Sequence, residues 1–240
     1  METYTVSLKA RREVAERTTA FLFEKPAGFR FKAGQCLNFT LLDPPETDAE
    51  GKTRTFSIAS VPDLGELMVA TRMRETAFKR VFKTMPLGTP VKIEGPFGNF
   101  TLHTNETRLA VFLTGGIGIT PFRSIIVDAA SKKLPHQLFL FYSNRRPEDA
   151  AFLEELQQME SRNPNYRFIG TMTGLEKSKR SWQGATGYIN QEMLGQFIND
   201  LTTPVYYVAG PPGMVTAMRK ILHDAGVSDG GIRTEEFAGY

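Results

Sequence analysis

The chain has 240 residues, 41% of them hydrophobic and 23% charged, with 29 Lys plus Arg against 26 Asp plus Glu for a formal net charge of +3. That balance belongs to a folded chain and excludes disordered, collagenous and coiled-coil proteins. A single cysteine, Cys36, excludes an internal disulfide, the cysteine-based zinc patterns and a cysteine-ligated iron–sulfur cluster. The three histidines, His103, His136 and His223, share no metal-ligand spacing. Apolar runs are far shorter than a bilayer span, and the N-terminus alternates instead of presenting an apolar signal core. The expectation is a soluble, cytoplasmic protein whose redox chemistry, if any, comes from a bound organic cofactor.

In chain order, residues 3–14, 18–24, 35–42, 53–60 and 67–74 are short β-rich runs, punctuated by Pro26, Gly28, Gly34, Pro44, Pro45, Gly51, Pro62 and Gly65. Such spacing predicts an antiparallel barrel or sandwich. A short helix is expected over residues 76–84, stopped by Pro86 and Gly88, followed by strands near 91–94 and 100–103. The pattern then changes. Residues 109–113 and 138–142 are continuous apolar runs, as in strands buried on both faces. A glycine turn and a helix follow the first, and Pro147 opens a helix over 147–160 after the second. Strands are expected at 166–172, 205–209 and 232–237, with a helix between the last two that ends at Gly226. Residues 175–187, with the lone Trp182, read as a polar, mobile connection, and His136 and His223 as solvated. Repeated β–α units imply a parallel sheet. The fold class expected is therefore an antiparallel β domain over residues 1–104 and an α/β parallel-sheet domain over residues 105–240.

Thr114-Gly-Gly-Ile-Gly-Ile-Thr-Pro121 lies between a buried strand and a helix, with Thr120 as the expected N-cap and Pro121 at the first helical position. Backbone N–H groups there can approach an anion, and the helix N-terminus favours a pyrophosphate. Pro121 replaces the third glycine of the usual Rossmann fingerprint, and Ser143-Asn-Arg-Arg146 stands where an acidic ribose ligand would be. Arg145 and Arg146 suit a 2′-phosphate, which points to NADP over NAD; the plain alternative is a tight turn and two solvated arginines. Gly210-Pro-Pro-Gly213 is a second strand-to-helix turn, and the two turns would line one crevice. Gly226-Val-Ser-Asp-Gly230 matches a hydrolase nucleophile elbow in spelling only, since a helix precedes it and a strand follows.

Arg54-Thr-Phe-Ser57, Gly95-Pro-Phe-Gly98, the Thr114–Pro121 turn, Gly210-Pro-Pro-Gly-Met214 and Glu235-Glu-Phe237, with Phe31-Lys-Ala-Gly-Gln35 before them, together resemble the ferredoxin–NADP reductase superfamily in order and spacing. The resemblance implies a six-stranded flavin-binding barrel followed by a nicotinamide-nucleotide domain. It implies FAD, with NADPH or NADH as the hydride donor. Arg54 would pair with the flavin pyrophosphate, Thr55 and Phe56 would border the flavin with Phe56 covering one ring face, and Ser57 would lie near flavin N5. The family's Gly-x-x-Ser helix start is absent; Thr71, Arg72, Thr76 and Lys79 occupy its place, which leaves FAD or FMN open. Thr114 and Gly115 would lie by the nicotinamide and Gly116 and Gly118 by its pyrophosphate, and Gly210 and Pro211 of the second turn would also bind the cofactor. Ala209 stands where many relatives carry Cys. Glu235 would position the nicotinamide and relay a proton, making Ser57 and Glu235 the catalytic pair. Phe237 or Tyr240 would shield the other flavin face, and Cys36 would lie in a barrel strand away from it.

The activity expected is hydride transfer from NAD(P)H to flavin, then electron transfer to a separate acceptor such as ferredoxin, flavodoxin or a small molecule. The basic residues Arg72, Arg74, Lys79, Arg80 and Lys83 could dock an acidic partner. Two alternatives stay open: an NAD(P)H:flavin reductase that uses exchangeable flavin as substrate, and a non-catalytic flavin- or nucleotide-binding subunit of a redox complex. Neither a nucleic-acid partner nor a membrane span is expected.

Overall fold

A computed structural model describes residues 2–237. Six antiparallel strands come first: β1 (Glu2–Ala15), β2 (Thr18–Glu24), β3 (Cys36–Leu41), β4 (Thr53–Ser57), β5 (Glu66–Arg72) and β6 (Pro90–Phe97), in the order β4-β3-β6-β1-β2-β5. Alternation drives this half. Val6, Leu8, Phe21, Phe23, Leu37, Phe39, Leu67, Val69, Val91 and Ile93 point inward into one core. The two outer strands meet just beyond β4, where Ala59 donates its N–H to the Met68 carbonyl (2.7 Å) and Met68 donates to Ser60 Oγ (3.0 Å). Helix α1 (Ala77–Thr84) packs on this core through Ala77, Phe78, Val81 and Phe82. The Phe82 ring stacks on Phe21 (4.1 Å) and also meets Phe23, Phe39 and Phe56. Thr76 caps the helix by accepting from the Lys79 N–H, and the helix stops just before Pro86, as expected.

The second half is a parallel sheet in the order β10-β9-β8-β7-β11-β12, built from β7 (Ala110–Gly115), β8 (Leu138–Asn144), β9 (Tyr166–Met172), β10 (Ala185–Thr186), β11 (Val205–Gly210) and β12 (Ile232–Glu236). Helices α2 (Ile119–Ser131) and α3 (Leu153–Arg162) share a core with one sheet face and with the barrel. Helices α4 (Gln191–Gly195) and α5 (Pro212–Asp224) share a core with the other. All six residues of β7 and of β11 are buried, which explains their unbroken apolar character. The strand order reverses between β7 and β11, so a crevice opens at their carboxyl ends. Among the described residues, no helix is long and apolar enough to cross a membrane.

Several local expectations are corrected. The helix expected over 147–160 is broken: Pro147–Asp149 forms a 3-10 turn, Phe152 has φ +59°, and α3 starts only at Leu153. The reason is tertiary. Glu16 donates its N–H to the Glu148 carbonyl (2.7 Å) and Phe152 donates to the Val14 carbonyl (3.2 Å), so the broken stretch docks on the end of β1. Residues 100–103 form no strand; Phe100 packs on Phe122 and Tyr207, while His103 donates its N–H to Tyr207 Oη (2.8 Å). His136 is buried, not solvated, with Nε2 hydrogen-bonded to the His103 carbonyl (2.8 Å). The 175–187 segment is tied into the sheet edge: Trp182 donates Nε1–H to the Ala185 carbonyl (2.8 Å), and Ala185 and Thr186 pair with Thr171 and Met172.

Ion pairs bind the halves together. Asp149 accepts from Arg146 (2.9 Å to each oxygen) and pairs with Arg72 of β5 (3.3 Å), and Arg146 also reaches Glu16 (2.8 Å). Arg123 of α2 donates to the Ala59 carbonyl (2.5 Å) while paired with Glu155 (2.6 Å), and Ser124 Oγ donates to the Ser60 carbonyl (2.6 Å). Because Phe82 sits at the centre of the barrel aromatics, Phe82→Ala is expected to cost about 3–5 kcal/mol. A urea unfolding curve measures it; a loss below about 1 kcal/mol would place the barrel core elsewhere.

Candidate functional site

The crevice floor is set by close backbone approach. Thr114, next to last in β7, is buried and donates its hydroxyl to the Ala209 carbonyl of β11 (2.8 Å). Gly115 ends the strand, Gly116 turns at φ +56°, and Gly118 is pressed against β11. A Cβ on Gly118 would lie 2.4 Å from the Ala209 carbonyl oxygen, so packing alone demands glycine there. Helix α2 begins at Ile119 with Gly118 at the cap position, two residues before the expected Thr120 cap; the Thr120 hydroxyl instead donates back to the Ile117 carbonyl (3.2 Å). On the neighbouring strand, Gly210 ends β11, and the Pro211 carbonyl accepts the Met214 and Val215 N–H groups at the start of α5. Both helix N-termini therefore face the same end of the sheet, the arrangement that favours an anionic ligand. Phe237 donates its N–H to the Gly210 carbonyl (3.0 Å) and lies half-buried against the core between the domains. Tyr240 lies outside the described residues.

The barrel side is built by β4. Ser57 is buried at its end and pairs in register with Cys36 of β3. Phe56 stacks on Phe82 (5.8 Å, 5° between planes) with part of its surface exposed. Arg54 lies over the Phe78 ring (5.2 Å), and Thr55 donates to Asn38 Oδ1 (2.6 Å). Thr76 and Lys79 open α1 beside Arg54; Lys79 Nζ donates to the Arg72 carbonyl (2.9 Å). Burial, then the Arg74 and Arg54 charges, push the Lys79 ammonium down to about 8. Thr71 is buried, and its hydroxyl donates only to the Arg72 carbonyl (3.4 Å).

Glu235 faces this barrel wall from β12, where it pairs in register with Ala209. Burial pushes its carboxyl up to about 7, and its Oε2 has no hydrogen-bond partner among the described residues. Cys36 corrects an expectation. It lies at the start of β3 beside Ser57 and Phe97, not away from the candidate centre. Its thiol is pushed up to about 11 by burial and then by the nearby Glu235 charge, so it stays protonated at neutral pH.

Comparison with known proteins supports this geometry. Residues 112–220 match the oxidoreductase NAD-binding domain family. One component of the Na(+)-translocating NADH-quinone reductase of Methylococcus capsulatus is 29% identical over 204 residues, covering 78% of this chain and 49% of that one. The glycine betaine monooxygenase reductase subunit of Chromohalobacter salexigens is 26% identical over 92% of this chain and 60% of that one. The chain thus spans about half the length of the curated relatives it matches. A ferredoxin NADP+ reductase from Neisseria gonorrhoeae, solved with bound FAD and NADP, superposes with a TM-score of 0.81 at 19% identity, covering 98% of this chain and 99% of that one. The chain therefore has the fold of a ferredoxin NADP+ reductase, an antiparallel six-stranded domain followed by a parallel-sheet domain that matches the oxidoreductase NAD-binding family.

The register joins the two sides through a short chain of neighbours: Ser57 pairs with Cys36, Cys36 lies within reach of the Glu235 charge, and Glu235 pairs with Ala209, which pairs in turn with Thr114. Two other residues are drawn elsewhere. Arg146 is engaged by Asp149 and Glu16, and Arg72 turns to Asp149, so both serve the joint between the domains. Arg145 alone of the arginine pair is exposed and, among the described residues, makes no ion pair. Sequence reasoning missed the acidic loop before β4. Glu46 pairs with Arg80, Asp48 and Glu50 with Arg54, and Asp48 Oδ2 accepts the Ala77 N–H of α1 (2.9 Å). Three carboxylates at every second position just ahead of Arg54 were the available signal.

Glu235 yields a signed pH effect. Its folded-state value is raised from 4.5 to about 7, so between those pH values only the folded protein holds the proton, and stability falls as pH rises through the window. Glu235→Gln is expected to match the parent near pH 4 and to be the more stable of the two near pH 8. Thermal melts across pH check this; identical profiles would mean that the carboxyl titrates normally.

Proposed function

We propose that this chain is a member of the ferredoxin–NADP reductase superfamily and an NAD(P)H-dependent FAD-containing reductase that hands electrons to a separate acceptor. The carrying observation is that Ser57 of the barrel pairs with Cys36, which feels the Glu235 charge, while Glu235 pairs with Ala209 near the carboxyl end of β11, so that the two domains adjoin at a carboxyl that burial pushes up to about 7. The barrel residues suit a flavin. Arg54 and the start of α1 already hold a carboxylate, the chemistry of a phosphate oxygen, and Phe56 offers an aromatic face. When bound, the flavin would supply hydride acceptance and one-electron release.

The chain's own residues supply position and proton control. Phe56, backed by Phe82, orients a ring; Ser57 offers a hydroxyl at its edge; Glu235 holds a proton at near-neutral pH beside the nicotinamide position. Gly115, Gly116 and Pro211 with the α2 and α5 N-termini would take the dinucleotide pyrophosphate, the division between domains falling between residues 104 and 105. Relatives named as reductase subunits support an acceptor in another protein; a ferredoxin or flavodoxin is the acceptor proposed, and the cytoplasm the proposed site of action. The crowding of Asp48 and Glu50 on Arg54 favours a second reading, in which flavin is an exchangeable substrate.

Anaerobic addition of NADH and of NADPH to the FAD-loaded protein tests the proposal. Loss of the flavin's visible absorption is expected; failure with both donors would leave only a binding role. Arg145 is the remaining candidate for a 2′-phosphate. Arg145→Ala is expected to raise KM for NADPH roughly tenfold, about 1.4 kcal/mol, with KM for NADH unchanged. An equal change for both donors would remove Arg145 from that role.

A further inference from the structure

The loop between β3 and β4 brings its own anions to the cationic end of the barrel. Asp48 bridges two donors: Oδ2 accepts the Ala77 N–H at the start of α1 (2.9 Å), and Oδ1 lies 3.3 Å from Arg54 NH2. Glu50 adds a second carboxylate on the same guanidinium (2.8 Å), and Glu46 clasps Arg80. Arg54 NH1 is occupied as well, donating to the carbonyls of Glu50, Gly51 and Thr53 at 2.8–3.0 Å. A helix N-terminus, an arginine fork and a neighbouring lysine make a phosphate cradle, yet a side chain of the same molecule fills it. Asp48 remains ionised there: burial opposes its charge, but the Ala77 and Glu50 N–H groups and Arg54 outweigh burial and hold the carboxyl below its usual range.

We propose that Asp48 is an internal competitor for the flavin phosphates, so that FAD binds this protein more weakly than its cationic cradle alone would allow. The proposal rests on the reading that a flavin lies along Phe56. A flavin phosphate reaching Arg54 and the Ala77 N–H must displace Asp48, leaving that carboxylate to water and setting Glu50 against a like charge. The isoalloxazine ring does not meet this conflict, because it binds at the Phe56 end of β4. Phosphate-bearing flavins therefore bind against a penalty that riboflavin escapes.

The test is flavin titration of the full chain by fluorescence quenching, with FAD and riboflavin as probes and Asp48→Asn as the variant. Asparagine keeps the shape and one acceptor oxygen but removes the charge. The expected result is a Kd for FAD at least tenfold tighter in Asp48→Asn, with riboflavin changed less than twofold. Glu50→Gln, being more exposed, is expected to shift FAD in the same direction by less. Circular dichroism and a thermal melt without flavin confirm that the variants fold. Unchanged or weaker FAD binding in Asp48→Asn overturns the competitor role, as does an equal shift for FAD and riboflavin, which would place the effect on the ring. If neither probe binds the parent or the variant, the flavin reading itself fails, and the competitor with it.

Discussion

Strands β2 and β5 are buried on both faces, and the rest of the architecture depends on that double burial. Phe21, Phe23, Leu67 and Val69 point into the barrel, where Phe82 of α1 meets them. Ala20, Leu22, Met68 and Ala70 point the other way and share a core with Phe122, Ile125 and Ile126 of α2. One pair of strands thus closes the barrel and seats the second domain. The two alanines on the outward face leave room for the helix, and the Gly116–Gly118 turn comes up against β5. Apolar burial of this kind is worth roughly 25 cal/mol for each Å² removed from water, so the joint is a major term in the stability of both halves.

Polar contacts then fix the angle at which the halves meet. Asp149 is shared by Arg72 of the barrel and Arg146 of its own domain, and Arg123 ties α2 to the Ala59 carbonyl. These arginines are largely covered, so each needs its partner: leaving a covered charge unpaired destabilises far more than an exposed pair stabilises. The same constraint explains why Arg146 does not reach toward a ligand. Its fork is already satisfied by Asp149 and Glu16.

Much of this was legible in the residues themselves. Alternation in residues 35–42 and unbroken apolar runs at 109–113 and 138–142 identify antiparallel and parallel strands because burial on one or two faces writes those patterns directly. The motif order named the residues proposed for the two sides of the site. What escaped notice depended on partners distant in the chain. The 147–160 helix breaks because Val14 and Glu16 claim its backbone groups. Cys36 joins Ser57 and Glu235 only through the β3–β4 register and the position of β12. The carboxylates of residues 46–50 read as solvated loop charges until the fold lays them on α1 and Arg54. The Arg146–Asp149 pairing is an exception, since a three-residue spacing between opposite charges could have been weighed against the phosphate reading.

The backbone bonds from Glu16 to Glu148 and from Phe152 to Val14 have a kinetic meaning. They stitch the end of a barrel strand to the turn after β8, so the two halves cannot swing apart without breaking main-chain hydrogen bonds together with the Asp149 ion pairs. A molecule that enters between the halves therefore depends on local shifts of side chains and loops while the frame stays still. On the function proposed above, such a frame would keep two rings at one separation and leave the pace of exchange to a few side chains at its rim.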